Sequence, residues 1–243
     1  LLATLATATE RIGLFPDVAS LPLRHPAMLA KAAASVDLLS GGRFELGLGA
    51  GAFWDAIAAM GGPRRAPGEA VEATEEAIGL LRRLWSDERS VRFEGRHYRV
   101  AGVKPGPSPA HPIGIWVGAF GPRMLALIGR LADGWVPSSP YVPPERLAAA
   151  QARIDDAAAG AGRDPAAIRR LYNISGRIGP GGGGFLDGPA GQWVEQLLSL
   201  VTEAGMDTFV LWPSESPARQ LELFAAEVAP ALREAVAAHR GGA

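Results

Sequence analysis

The chain has 243 residues, of which 48% are hydrophobic and 20% are charged, a composition typical of a globular protein with a sizeable core. A formal net charge of −1 gives no support for binding to nucleic acid or to an acidic membrane surface, and no apolar run reaches the ~18 residues of a membrane span. Because cysteine is absent, disulfides, thiol catalysis and thiolate metal sites are excluded.

Short β-branched or aliphatic runs alternate with longer alanine-rich amphipathic runs along the whole chain. Several short runs are almost continuously apolar, which is typical of parallel strands covered on both faces. The predicted strands cover residues 12–18, 43–49, 113–118, 134–137, 171–178 and 208–212. Residues 91–100 interrupt this pattern, and they predict a short hairpin inserted after a long helix.

Proline at a first turn and glycine after a last turn mark the predicted helices. Pro26 begins a helix over residues 27–39 that ends at Gly41. Further helices are predicted over residues 68–85, 123–132, 144–159, 190–204 and 218–239, the last with a kink or a break at Pro230. The alternation of strands and helices predicts an α/β fold with parallel strands.

Residues 43–52 form a predicted strand that runs into a glycine-rich turn. Gly47, Gly49 and Ala52 satisfy the G-x-G-x-x-G/A pattern, in which glycines let the backbone approach a pyrophosphate. Three interpretations remain open: small residues kept for close packing, a loop that lines a cofactor, and a true Rossmann site. Against the Rossmann site, the next strand does not end in the acidic residue that would hold a ribose.

A second loop leads from an apolar strand into a helix through a run of mostly small residues: Gly118, Ala119, Phe120, Gly121 and Pro122. A helix start presents unpaired N–H groups and the positive end of the helix dipole, which suits a phosphate, and Arg123 adds a charge-assisted contact. The alternative is an ordinary strand-to-helix turn. Because both loops follow the carboxyl ends of strands, where α/β folds collect ligands, they predict one shared pocket.

Other candidate residues carry less information. The four histidines have no metal-binding spacing, so no metal site is predicted. His25 is predicted to cap a helix or form an ion pair, with a place in the substrate pocket as the alternative. Phe53 and Trp54 are either core residues or a pocket wall, and Asp133 is predicted to make a structural turn contact. No catalytic residue is assigned.

Taken together, these motifs resemble the bacterial-luciferase-like superfamily of flavin-dependent oxidoreductases. The most specific runs are D-L-L-S-G-G-R-F at residues 37–44 and A-D-G-W at residues 132–135. Supporting matches lie at residues 23–26, 46–51, 81–85, 95, 98, 112–118 and 121–122. The resemblance is clearest over residues 1–140, and beyond them it rests on the order of strands and helices.

The resemblance implies a TIM-barrel-like (β/α)8 fold that forms one domain over residues 1–243, usually as a homodimer, and acts on a small-molecule substrate. It implies reduced FMN or 8-hydroxy-5-deazaflavin (factor 420, F420) bound at the top of the barrel. It places a non-prolyl cis peptide bond at Asp17-Val18 behind the ring, Ala50 and Gly51 against the ring or ribityl chain, and the phosphate at residues 118–123. With no export signal in the sequence, we expect a cytoplasmic protein.

The chain departs from the family pattern in two respects. In the family two barrel strands precede the segment that matches residues 12–18. Six predicted strands and an abrupt apolar start at Leu1 therefore lead us to expect an N-terminally incomplete barrel. Relatives often draw a substrate or catalytic His or Trp from those strands, so these roles stay unassigned. Some deazaflavin-dependent relatives carry an acid where this chain has Ala52, which argues against that subtype's acid–base chemistry.

The sequence thus predicts an oxidoreductase in which a flavin or deazaflavin carries the chemistry. A monooxygenase that uses reduced FMN and oxygen is the favoured form, beside deazaflavin hydride transfer. The alternative from another class is a non-catalytic flavin-binding or assembly subunit. A phosphate-ligand lyase is disfavoured because it needs a lysine in the pocket, whereas Lys31 lies in a predicted helix and Lys104 in a Gly/Pro loop.

Overall fold

The computed structural model describes residues 1–241, which form two compact units. The first unit comprises Leu1–Trp135 and Arg153–Ile168, and the second comprises Val136–Ala152 and the described residues from Arg169 onward. No helix within residues 1–241 combines the length and the hydropathy that crossing a bilayer requires.

The first unit has a parallel sheet with helices and one antiparallel hairpin. Its elements in chain order are α1 (Leu2–Ala8), β1 (Ala19–Ser20), α2 (Pro26–Ser40), β2 (Leu46–Gly49), α3 (Trp54–Ala59), α4 (Pro67–Leu84), β3 (Val91–Glu94), β4 (Arg99–Val103), β5 (Ile115–Gly118), α5 (Pro122–Leu131) and β6 (Gly134–Trp135). The parallel strands pair in the order β1, β2, β5, β6. All four residues of β2 are buried, as its continuous run of leucine and glycine predicts.

Helices α2, α4 and α5, which begin at proline, were predicted within one residue of their observed bounds. Helix α2 begins at Pro26, with the Nδ1 atom of His25 accepting from the N–H of Ala27 at 3.2 Å, and it ends at Gly41 with φ 66°. The strand predicted over residues 12–18 was wrong in position. Within that range Leu14 forms a single bridge with Phe44, and β1 follows it at Ala19–Ser20. Helix α3 was not predicted.

The motif at residues 37–44 fastens α2 to neighbouring segments. Asp37 is fully buried and accepts hydrogen bonds from the backbone N–H groups of Ala110 (2.7 Å) and His111 (3.2 Å), while the His111 Nδ1 atom lies 2.8 Å from its carboxylate. The guanidinium of Arg43 donates to the carbonyl of Ile12 at 2.7 Å. Residues 37–44 precede the amino end of β2, so the most recognisable part of the sequence builds the scaffold.

Asp133 makes the structural turn contact that the sequence predicted. Its carboxylate accepts from the backbone N–H of Ile115 at 2.7 Å, and it also pairs with Arg82 of α4. The contact therefore holds the first residue of β5 beside the start of β6 and ties both strands to a helix.

The second unit has its own parallel strands. Its elements are β7 (Arg169–Ile178), β8 (Asp187–Gly188), α7 (Ala190–Thr202), β9 (Thr208–Pro213), α8 (Pro217–Leu223) and α9 (Ala229–Gly241), while the residues of α6 (Pro144–Gly160) are divided between the units. Strand β7 pairs with both β8 and β9. The break predicted at Pro230 is a π-helical segment, Phe224–Val228, whose wider turn accommodates a residue that has no N–H to donate.

The antiparallel hairpin of β3 and β4 is anchored by one carboxylate of α4. Glu76 accepts hydrogen bonds from the backbone N–H groups of Arg96 (2.7 Å), His97 (2.9 Å) and Tyr98 (3.0 Å). Burial by itself raises the pKa of Glu76, but the three N–H donors and the nearby His97 outweigh it, and the pKa lies below its usual value.

We predict that Glu76→Gln lowers the free energy of unfolding at pH 7 by about 1–2 kcal/mol, because an amide oxygen is a weaker acceptor than a carboxylate. Since the folded-state pKa is depressed, the carboxylate contributes fully above its unfolded pKa, and the contribution is lost as the pH falls through the folded value. Urea unfolding at pH 7 and pH 4 should therefore show a smaller difference between wild type and variant at pH 4. Glu75→Gln, which removes an exposed ion pair with Arg130, is the control, and an equal loss in both variants would contradict the anchoring role.

Candidate cofactor-binding site

A cavity of about 730 Å³ lies in the first unit at the carboxyl ends of β1, β2 and β5. Its walls come from four parts of the chain: residues 17–23, residues 49–60 including α3, the first turn of α4, and residues 118–124 at the start of α5. Parallel strands place their carboxyl ends at one edge of the sheet, which is where ligands bind in this fold class.

The register of the sheet brings the two glycine-containing bends side by side. Gly49 is paired with Gly118 across β2 and β5, and Ser20 is paired with Gly49 across β1 and β2. The turn at Ala50-Gly51 and the loop at residues 119–122 therefore leave adjacent strands at the same level, and both line the cavity. The shared pocket that the sequence predicted is present.

The glycines of the first bend are required by close packing. A Cβ atom on Gly49 would lie 2.6 Å from the side chain of Val18, and one on Gly47 would collide with the carbonyl oxygen of Pro16. Gly51 has φ 112°, and a Cβ there would lie 2.6 Å from Trp54. Gly47 does not line the cavity whereas Gly49 and Gly51 do, so this run combines close packing with a pocket lining and is not a dinucleotide fingerprint.

The start of α5 provides donors and positive charge at the cavity. Gly121 is the N-cap residue of this ten-residue helix, no side chain caps it, and a Cβ on Gly121 would meet no atom within 4 Å. Helix α4 also begins at the cavity, and the Nη1 atom of Arg123 lies 3.0 Å from the Cβ position of Gly68 in its first turn. No carboxylate in the described part of the chain pairs with Arg123. The arrangement suits a bound phosphate.

The remaining predicted site residues divide between the cavity and its surroundings. Asp17 and Val18 line it, and the peptide bond between them is cis, as the resemblance implies. Phe53 and Trp54 form part of the wall, and Phe53 is 79% exposed, so it is not a core residue. His25 is not among the lining residues, and its capping of α2 is the predicted structural role.

Sequence reasoning missed the apolar wall. Leu23, Ile57, Met60 and Val71 line the cavity, and the first three lie in or beside short helical segments that lack strong start signals. The spacing of Trp54, Ile57 and Met60 at intervals of three residues was the one available signal of a helix face. Asp17 and Arg123 are the ionisable side chains among the lining residues.

Solved structures show the fold. A structure titled "F420-dependent secondary alcohol dehydrogenase in complex with an F420-acetone adduct" superposes with a TM-score of 0.85 at 18% identity, over 95% of this chain and 82% of that chain. A monooxygenase from Streptomyces bottropensis gives a TM-score of 0.77 at 21% identity, over 94% and 81%. The fold is therefore the predicted TIM-barrel-like α/β fold.

The sequence comparisons show the family. The profile of the luciferase-like monooxygenases matches residues 1–176, and the chain belongs to this family. An F420-dependent hydroxymycolic acid dehydrogenase of Mycobacterium tuberculosis is 37% identical over 158 residues, which are 64% of this chain. An F420-dependent glucose-6-phosphate dehydrogenase of Intrasporangium calvum is 37% identical over 141 residues, 57% of this chain. The matched region spans 42% of each of these two relatives.

We predict that Gly51→Ala lowers the free energy of unfolding by about 1–3 kcal/mol, because its backbone has φ 112° and the added methyl group would overlap Trp54. The matched control is Gly121→Ala, which has φ −77° and open space beside it. We expect its effect to stay within about 0.5 kcal/mol in the same denaturant titration. Equal stability of the two variants would show that the bend at Gly51 is not packed as described.

Proposed function

We propose that the protein is an oxidoreductase that binds the deazaflavin F420 and exchanges hydride with a small organic substrate. The observation that supports it is that the bend at Ala50-Gly51, the segment at Asp17-Val18 and the start of α5 line one cavity. The curated relatives described above are named as F420-dependent dehydrogenases, which favours the deazaflavin over FMN.

The residues present fit such a cofactor. The backbone N–H groups of residues 119–121 and of Arg123 would hold its phosphate, with the guanidinium of Arg123 and the positive ends of α4 and α5 adding attraction. The bend at Ala50-Gly51 would lie against the ring, because it presents only small groups there. When bound, the deazaflavin would supply the acceptor or donor of a hydride. Trp54 and Ile57 would exclude water from the reacting face.

A monooxygenase that uses reduced FMN is the second candidate, because the family is that of luciferase-like monooxygenases and the same loop suits either phosphate. A non-catalytic flavin-binding subunit remains the alternative from another class, and it requires binding without turnover. We also propose that the chain forms a single domain and acts as a homodimer in the cytoplasm.

Titration of the purified chain with F420 and separately with FMN, followed through the fluorescence of each cofactor, tests the proposal. We expect saturable binding of F420 that is tighter than binding of FMN. Arg123→Gln should weaken F420 binding by about tenfold, because a charge-assisted contact to phosphate is lost.

Arg130→Gln is the matched control, since Arg130 lies in the last turn of the same helix and pairs with Glu75. We expect it to leave F420 affinity within about twofold of wild type. Tighter binding of FMN would support the monooxygenase instead, and binding of neither cofactor would exclude both forms of the proposal.

A further inference from the structure

The mouth of the cavity carries an unusual concentration of exposed apolar side chains. Phe53 is 79% exposed, Met60 63%, Phe120 59% and Leu23 37%, and all four line the cavity. Single exposed apolar residues are ordinary, but a cluster around a concave site marks a surface that a ligand covers. We call these four residues the apolar rim.

Helix α3 turns its apolar side towards the cavity. Trp54 and Ile57 in α3 and Met60 directly after it line the cavity, whereas Asp55 does not. The Asp55 side chain is 98% exposed and pairs with Arg64. An amphipathic helix normally buries its apolar face against a core. Here Ile57 is the one buried residue of α3, so most of that face meets the open cavity.

Phe53 is held in a conformation that its residue type disfavours. It is the N-cap residue of α3, with φ 46° and no side-chain hydrogen bond, at a position where Ser, Asp, Asn or Gly is preferred. A left-handed backbone at a non-glycine residue lowers stability, and such residues concentrate at functional sites. This observation is independent of the apolar rim and points to the same wall.

The apolar wall adjoins the place assigned to the cofactor ring. The Trp54 ring lies against Gly51, where the distance to a Cβ position is 2.6 Å. A molecule resting on α3 would therefore lie beside the Ala50-Gly51 bend. Of the two ionisable side chains that line the cavity, Arg123 is the cation, and the proposed function already assigns it to the cofactor phosphate.

We propose that the substrate is an uncharged alcohol, or the corresponding carbonyl compound, with an apolar body that lies on the apolar rim. This inference rests on the proposed function for its redox step. With F420 bound, the alcohol would give a hydride from its carbinol carbon to the oxidised deazaflavin and the proton of its hydroxyl group to water at the open mouth of the cavity, which would leave the carbonyl compound and reduced F420. Phe53 and Met60 set the preference for apolar substrates.

Titration of the chain with a series of linear alcohols from butan-1-ol to decan-1-ol, with glucose 6-phosphate as the charged comparison, tests the substrate class. Calorimetry with and without F420 gives each dissociation constant. We expect the constant to fall by about three- to fourfold per added methylene group, and glucose 6-phosphate to bind more weakly than decan-1-ol.

Phe53→Asn gives a sharper test, because asparagine suits both the N-cap position and the left-handed backbone. We expect this variant to melt at a higher temperature than wild type and to bind decan-1-ol at least about tenfold more weakly. Its F420 affinity should stay within twofold. Asp55→Asn, on the opposite side of α3, is the control and should change neither alcohol nor F420 affinity.

The outcomes separate this inference from the proposed function. If alcohol affinity rises with chain length but the protein does not bind F420, the apolar site is supported and the proposed cofactor is wrong. F420 binding with no dependence on chain length, or with tighter binding of glucose 6-phosphate, would overturn the apolar substrate. Self-association that Phe53→Asn abolishes, without saturable alcohol binding, would identify the rim as a contact between copies and would also overturn it.

Discussion

The close approach of two backbone segments at β2 governs the geometry of the cavity. Residues 14–20 run directly beside this strand, and a side chain on Gly47 or Gly49 would strike Pro16 or Val18. Glycine removes that obstacle and leaves two leucines to fill the buried faces of the strand. When residues 14–20 pack against β2, Asp17 and Val18 lie at the end of this strand that opens into the cavity.

The two ends of β2 have different roles. At its amino end, Asp37 and Arg43 fasten α2 and the segment before β1 through hydrogen bonds to backbone groups. At its carboxyl end, the chain turns through Ala50 and Gly51 and presents backbone to the cavity. The longest recognisable motif therefore belongs to the scaffold, while the site is made of short bends whose residues are individually unremarkable. Scaffold and site share the same strand, so a change in its packing would move both.

Local signals explain which parts of the fold were predictable. Prolines at first turns located α2, α4 and α5, and continuous apolar runs located β2 and β5, because these signals act within a few residues. The first strand was predicted over residues 12–18, just before β1, since an apolar segment can pack against a neighbour without pairing its backbone along its length. Helix α3 was missed because it has only six residues and its N-cap residue is Phe53, a type that is not preferred at that position. The pairing of Gly49 with Gly118 is a long-range contact that no local pattern encodes.

The same distinction applies to the site. The helix start at residues 118–123 and the cavity that it shares with the Ala50-Gly51 bend could be inferred from the sequence, because a helix start and a strand end have known directions. The apolar wall could not, because it depends on how α3 folds back over Gly51.

A crystal structure of the chain with F420 tests the central claim most directly. We expect the phosphate oxygens within hydrogen-bonding distance of the backbone N–H groups of residues 119–121 and Arg123, and the deazaflavin ring against Ala50 and Gly51. A phosphate bound away from the start of α5, or a ring at the amino ends of the strands, would contradict it.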